Sequence, residues 1–211
     1  MLYFWTKFFY MRTLFQIVIA LICFSSCSQD KKPLMGDTAF QRELNAEYKD
    51  ASKSPLKDKD RKKFEGLDFF KFDPTYVVQA RLELTPDSKW FNMRTTTSRV
   101  SKERVYGILH FELKGKPYQL NVYQGEETMK LEGMADYLFL PFLDETNGME
   151  SYGGGRYIDL RIPKGDTLEI DFNKAYNPYC AYNDTYSCPI VPRENYLKTK
   201  VEAGVKTFGK H

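Results

Sequence analysis

The chain has 211 residues, of which 42% are hydrophobic and 16% aromatic, so it can form one ordinary domain with a core, plus a targeting segment. Its formal net charge is +3, and because the first 26 residues contain Lys7 and Arg12 but no Asp or Glu, the remainder carries 29 basic and 28 acidic residues. A nearly neutral domain lacks the concentrated basic surface that a phosphate backbone requires, which excludes nucleic acid as the expected partner.

The first 26 residues have the pattern of an export signal. Residues 1–13 carry two positive charges, and the apolar run from Leu14 to Phe24 is interrupted only by Gln16. A helix of this length spans about 16 Å, roughly half the hydrocarbon thickness of a bilayer, which is typical of a signal-peptide core. Met11 is a second possible start of translation.

The residues after this apolar run are small and then polar, with Ser25 and Ser26 leading into Cys27. This pattern resembles the lipobox of bacterial lipoproteins, in which the cysteine is lipidated and becomes the mature N-terminus. The resemblance implies removal of residues 1–26, a tether over 27–36, and a lipid anchor on the membrane of the bacterial cell envelope, with the domain facing away from the cytoplasm. An uncleaved anchor helix is the alternative.

Residues 37–211 are predicted to form a single mostly-β domain that begins with one or two short helices. Thr38 and Gln41 have the spacing of a capping box, and Phe40, Leu44 and Tyr48 recur every four residues, which predicts a helix of about three turns. The charge-dense segment 49–63 contains Pro55 and is expected to be a loop that could hold a second short helix.

From residue 69 onward the apolar residues alternate with polar ones, which is the pattern of half-buried strands. The segments that show it are 75–84, 105–113, 118–122, 157–162 and 168–172. Residues 90–97 are a further candidate strand, and 138–143 is an apolar segment interrupted by Pro141. The turns at Lys114–Pro117 and Pro163–Asp166 predict two hairpins, and Pro141 predicts a sheet edge or bulge. Short strands without βαβ alternation predict a mainly β fold, an antiparallel barrel or sandwich.

Two segments, 144–157 and 171–195, depart from this alternation and are rich in Gly, Asn, Tyr and Pro. Together with Ser54–Leu56, Phe64–Leu67 and Ala203-Gly204, they resemble the bacterial family described as domain of unknown function 1684. The resemblance covers most of the mature chain. It implies a mostly-β domain and carries no established activity.

The polar residues of this C-terminal block are the candidates for a ligand pocket. Gly153–Gly155 could present backbone N–H groups to a ligand beside the fork-shaped donor of Arg156, or could simply form a tight turn. Polar side chains that follow a predicted strand could line the pocket, or could fold the loop through local hydrogen bonds. The predicted ligand-binding residues are Arg156, Asp171, Asn173, Tyr176, Asn177 and Asp144.

Seven residues separate Cys180 from Cys188 in a loop rich in Pro and Tyr. In an exported protein this spacing predicts a disulfide, although the family resemblance leaves a reduced structural pair open. Zinc is a poor alternative because His110 is the only histidine besides His211, and no metal or cofactor is predicted.

The leading hypothesis is a ligand-binding or structural module at the membrane surface, with a polar pocket formed by residues 144–195 and an unknown small ligand or envelope component as partner. The alternative is a hydrolase that uses Asp144, Asp159 and Asp171, with Arg156 as electrostatic stabiliser. The chain has no Gly-x-Ser-x-Gly, His-Glu-x-x-His or nucleotide-binding motif, so the sequence leaves open whether the protein is an enzyme.

Overall fold

The computed structural model describes residues 36–209 of the chain. The predicted signal peptide, Cys27 and all but the last residue of the predicted tether lie outside the described residues. Between residues 36 and 209, no helix is both long enough and apolar enough to cross a bilayer.

Two short helices precede the sheet, as predicted. Helix α1 (Ala39–Lys49) begins at a capping box, in which the Gln41 N–H donates to Thr38 Oγ1 at 3.2 Å and the Gln41 side chain accepts from the Thr38 N–H. Helix α2 (Asp58–Arg61) is a single turn. The apolar face of α1 buries Tyr48 against Leu56, Phe64, Leu67 and Phe69, so the helix is fixed to the rest of the domain by packing.

The remainder of the domain is a mainly antiparallel sheet that curls into a half-barrel, which confirms the predicted fold class. Its strands are β1 (Val77–Leu84), β2 (Phe91–Arg94), β3 (Val100–Leu113), β4 (Lys116–Gly125), β5 (Tyr137–Asp144), β6 (Arg156–Arg161), β7 (Thr167–Asp171) and β8 (Tyr196–Leu197). Six of them follow the order β6-β5-β4-β3-β1-β7, while β2 pairs with β3 and the short β8 pairs in parallel with β5.

The first predicted hairpin is confirmed and the second is wrong. Strands β3 and β4 pair along their length around Lys114 and Gly115, which both have positive φ. Strands β6 and β7 are not neighbours in the sheet: β6 pairs with β5, β7 pairs with β1, and the two lie at opposite ends of the strand order. The short connection 162–166 therefore joins the two ends of the sheet path, which requires the sheet to curl.

Pro141, predicted to mark a sheet edge or bulge, lies in β5 between β6 and β4, beside a gap in the pairing of β5 with β4. Strand β5 pairs with β6 over six residues but with β4 only at Phe139 and Tyr123. The side chain of Asn195 fills the gap, since it exchanges hydrogen bonds with the backbone of Asn121 on β4 and donates to the Pro141 carbonyl at 2.6 Å. A buried amide thus replaces the backbone bonds that the strands do not make.

Candidate functional site

A cavity of about 400 Å³ lies between α1, β6 and the segment 176–188, and its volume is typical of small-ligand pockets. The helix contributes apolar and acidic side chains, and the strand and segment contribute aromatic, acidic and thiol groups. The lining residues are Phe40, Leu44, Glu47, Tyr157, Asp159, Tyr176, Pro178, Tyr179 and Cys188.

Strand β6 places Asp159 and Tyr157 on the same face, because residues two apart in a strand point the same way. The exposed Asp159 accepts hydrogen bonds at one oxygen, Oδ1, from the Tyr137 hydroxyl at 2.7 Å and the Tyr176 hydroxyl at 2.6 Å. Tyr176 is held there by a pair of backbone hydrogen bonds with Tyr157, and the two rings meet edge to face.

The two phenols beside Asp159 are protonated donors. Burial raises the pKa of Tyr176 well above its ordinary value, and the neighbouring carboxylate of Asp159 raises it further. Burial and Asp159 raise the pKa of Tyr137 in the same way. At neutral pH both hydroxyls therefore keep their protons and donate them to the carboxylate.

The opposite wall of the cavity carries a second carboxylate–tyrosine pair. Phe40, Leu44 and Glu47 lie on one face of α1, at spacings of four and three residues. The Tyr179 hydroxyl donates to Glu47 Oε1 at 3.2 Å, and burial, followed by the charge of Glu47, raises the pKa of Tyr179 to about 12. Each acidic side chain of the cavity is thus oriented by at least one neutral tyrosine.

Cys180 and Cys188 are free thiols in the structure, so the predicted disulfide is absent and the reduced pair is the state observed. The Cys180 N–H donates to Cys188 Sγ at 3.2 Å, and a hydrogen bond from Cys188 lowers the pKa of Cys180 to about 6. The loop is held without a covalent bond because Thr96 and Cys188 exchange backbone and hydroxyl hydrogen bonds at 2.9 and 3.1 Å.

Arg156 and Asp144 lie in the interior and do not line the cavity. Both side chains are 0% exposed, and Arg156 Nη2 donates to Asp144 Oδ2 at 2.7 Å. The guanidinium also donates to the carbonyls of Val201 and Ala203. Both terminal nitrogens of the guanidinium are thus occupied by the protein, whereas the buried Arg156 Nε has no hydrogen-bond partner among the described residues. Gly155, at φ 89° and packed against the Phe142 carbonyl, forms the tight turn that leads into β6.

The other polar candidates are engaged in holding the backbone. Asp171 accepts from the backbone and side-chain nitrogens of Asn173, each at 3.0 Å, and Asn173 also exchanges hydrogen bonds with the backbone of Asp73. Asn177 is buried and donates to the Lys206 carbonyl at 2.8 Å. Of the six predicted ligand-binding residues, only Tyr176 lines this cavity.

The three carboxylates of the hydrolase hypothesis have separate partners. Asp144 pairs with Arg156, Asp159 with two tyrosines, and Asp171 with Asn173. Across residues 36–209, no group of three or more His, Cys, Asp or Glu side chains is placed to hold a metal ion. Of the three, Asp159 alone lines the cavity, and the described residues do not gather these carboxylates around Arg156.

Glu47, Tyr157 and Tyr179 line the cavity but were not among the predicted ligand-binding residues. The signal for Glu47 is its position, because it continues the apolar stripe of α1 three residues after Leu44. A charged residue in line with a buried stripe indicates either the edge of the stripe or a polar cavity. Tyr157 shares its strand face with Asp159, and only the path of the chain after β7 brings Tyr179 to the same place.

The sequence profile of the family described as protein of unknown function (DUF1684) matches residues 62–206, and the chain belongs to this family. Among solved structures, the solution NMR structure of an uncharacterized protein from Haloarcula marismortui is 34% identical to this chain. That match covers 81% of this chain and 92% of the other, with a TM-score of 0.64. No curated protein matches the chain. The profile match includes the sheet side of the cavity and begins after α1.

Proposed function

We propose that this DUF1684 protein is a small-molecule-binding module whose site is the cavity between α1 and β6. The observation that carries the proposal is the lining, which is largely aromatic and aliphatic with a few convergent polar groups around Asp159. Pockets of this size and composition are the usual form of a small-ligand site. Asp144 and Arg156, which the hydrolase hypothesis requires at the same place, are buried away from the cavity, where they pair with each other and with the backbone.

Filling the cavity from α1 is expected to abolish binding. Leu44 is half-buried and lines the cavity, so Leu44→Trp places an indole inside it. Ala46→Trp adds the same group to the exposed face of the same helix and is the matched control. NMR titration of the full-length protein with a set of uncharged and charged fragments is expected to shift signals of Tyr157 and Tyr176 in the wild type and in Ala46→Trp only.

Circular dichroism and a thermal melt establish that both variants are folded. The proposal fails if a folded Leu44→Trp protein responds to the fragments as the wild type does, or if no fragment of any charge shifts a cavity residue. If both tryptophan variants lose the response, the cavity is not the binding site, because Ala46 does not line it.

We also propose that a lipid on Cys27 tethers the domain to the surface of a membrane of the cell envelope. The support is the apolar run ending in Ser25-Ser26-Cys27. Cells that express the wild type and are fed a radioactive fatty acid are expected to label the protein, whereas Cys27→Ala is expected to remain unlabelled and to leave the membrane fraction. Equal label on the two proteins would exclude this anchor.

A further inference from the structure

We infer that the ligand of this cavity is a small organic cation that carries N–H donors, a primary amine or a guanidinium, attached to an apolar body. The inference rests on the proposed binding function and names the class of ligand. It depends on three features of the lining: its charge, its unused hydrogen-bond acceptors and its aromatic rings.

The charged side chains of the lining are both acidic. Glu47 and Asp159 face the cavity, and no Lys, Arg or His is among the lining residues. Neither carboxylate forms an ion pair with a basic side chain of residues 36–209, in contrast to Asp136, which pairs with Arg161 at 2.7 Å. Two carboxylates that line one cavity without counter-ions favour a cation and repel an anion.

Each carboxylate also keeps one oxygen available. Both tyrosines that contact Asp159 donate to Oδ1, and Tyr179 donates to Oε1 of Glu47. Within the described part of the chain, no group donates to Asp159 Oδ2 or Glu47 Oε2. Because the hydroxyl groups of these tyrosines already donate their hydrogen bonds to the carboxylates, the acidic side of the cavity offers acceptors and few donors. A ligand with charged N–H groups would form charge-assisted hydrogen bonds there.

The remaining lining fits the body of such a ligand. Phe40, Leu44 and Pro178 are apolar, and the rings of Tyr157 and Tyr176 lie 5.9 Å apart at 87°. Tyrosine and phenylalanine rings attract cations through the negative charge of their faces, and they also cover aliphatic carbon. A polar uncharged ligand would use the hydrogen bonds but would leave both carboxylate charges unpaired.

Three probes of equal chain length separate charge from shape: n-butylammonium, n-butanol and butyrate. NMR titrations of the full-length protein are expected to show saturable shifts at Asp159, Tyr157 and Tyr176 with n-butylammonium, a dissociation constant at least about tenfold higher for n-butanol, and no binding of butyrate. Raising the salt concentration is expected to weaken only the n-butylammonium interaction.

Neutral isosteres test the two carboxylates. Asp159→Asn and Glu47→Gln are each expected to raise the n-butylammonium dissociation constant about tenfold while leaving that of n-butanol nearly unchanged. Glu43→Gln removes the same charge from an exposed position of α1 and is the matched control. If one isostere does not fold, the other isostere and the salt dependence of the wild type still decide the question.

The inference is overturned if n-butanol or butyrate occupies the cavity as tightly as n-butylammonium, or if both folded isosteres bind the ammonium as the wild type does. In those cases cavity binding, and with it the proposed function, still holds. If the protein responds neither to these probes nor to the fragment set, both the cation inference and the proposed binding function are overturned. Weakening by Glu43→Gln equal to that by Asp159→Asn would show a general charge effect and would also overturn the inference.

Discussion

Replacing Arg156 by methionine is expected to lower the free energy of unfolding by about 3–5 kcal/mol, because it leaves a buried carboxylate without its counter-ion. Arg156 Nη2 and Asp144 Oδ2 are 2.7 Å apart, and neither side chain has any exposed surface. Burial lowers the pKa of Arg156, an effect that the charge of Asp144 opposes. Methionine keeps much of the apolar volume but removes the charge and the donors to two carbonyls.

The matched control is Arg161→Met, since Arg161 and Asp136 also approach to 2.7 Å but are 51% and 56% exposed. Exposed pairs contribute about 0–1 kcal/mol, so this variant is expected to unfold almost as the wild type does in urea. Adding Asp144→Leu to Arg156→Met is expected to recover only part of the loss, because the N–H groups of Thr146 and Val201 also donate to Asp144. A loss below about 1 kcal/mol for Arg156→Met would contradict this account of the pair.

Local patterns in the sequence predict where the helices and strands lie better than they predict which strands pair with each other. The capping box at Thr38 and the Lys114-Gly115 turn fix α1 and the β3–β4 hairpin, because both depend on residues close in the chain. Alternation predicted the strands that became β6 and β7 equally well, but alternation does not specify which neighbour a strand pairs with. The turn Pro163–Asp166 therefore predicts a hairpin, whereas the chain there connects the two ends of a curled sheet.

The candidate site was predicted only in part for the same reason. Arg156 has the sequence context of an exposed donor, and it is buried because residues 201–203, 45 to 47 positions later, fold over it. Tyr176 and Asp159 were singled out as polar groups, but their contact arises from backbone pairing between Tyr157 and Tyr176 across an irregular segment. The position of Glu47 in line with the apolar stripe of α1 is a local signal, but the stripe does not specify that α1 packs beside that segment and so brings Glu47 to the cavity.

The second large effect is expected at Gly204, where alanine should lower the free energy of unfolding by about 2–5 kcal/mol. Gly204 is buried with φ 78°, a left-handed conformation that costs a residue with a Cβ about 1–2 kcal/mol. A Cβ at this position would also collide with the Ala175 carbonyl and lie 2.8 Å from the Ala175 Cβ. That carbonyl accepts from the Val205 N–H at 2.8 Å, so displacing it would disturb the hydrogen bond that joins Val205 to Ala175.

Gly115→Ala separates the two contributions. Gly115 has a similar φ of 74°, but a Cβ there would meet no atom within 4 Å. Gly115→Ala is therefore expected to lose only the about 1–2 kcal/mol that a left-handed backbone conformation costs a residue with a Cβ. Urea unfolding of both variants therefore measures the steric part at Gly204 as the difference between them. Because Ala175 immediately precedes Tyr176, the Gly204 variant, unlike Gly115→Ala, is also expected to shift the NMR signals of Tyr176. Equal losses of stability in the two variants, with Tyr176 undisturbed, would mean that the close approach at Gly204 contributes nothing to the fold.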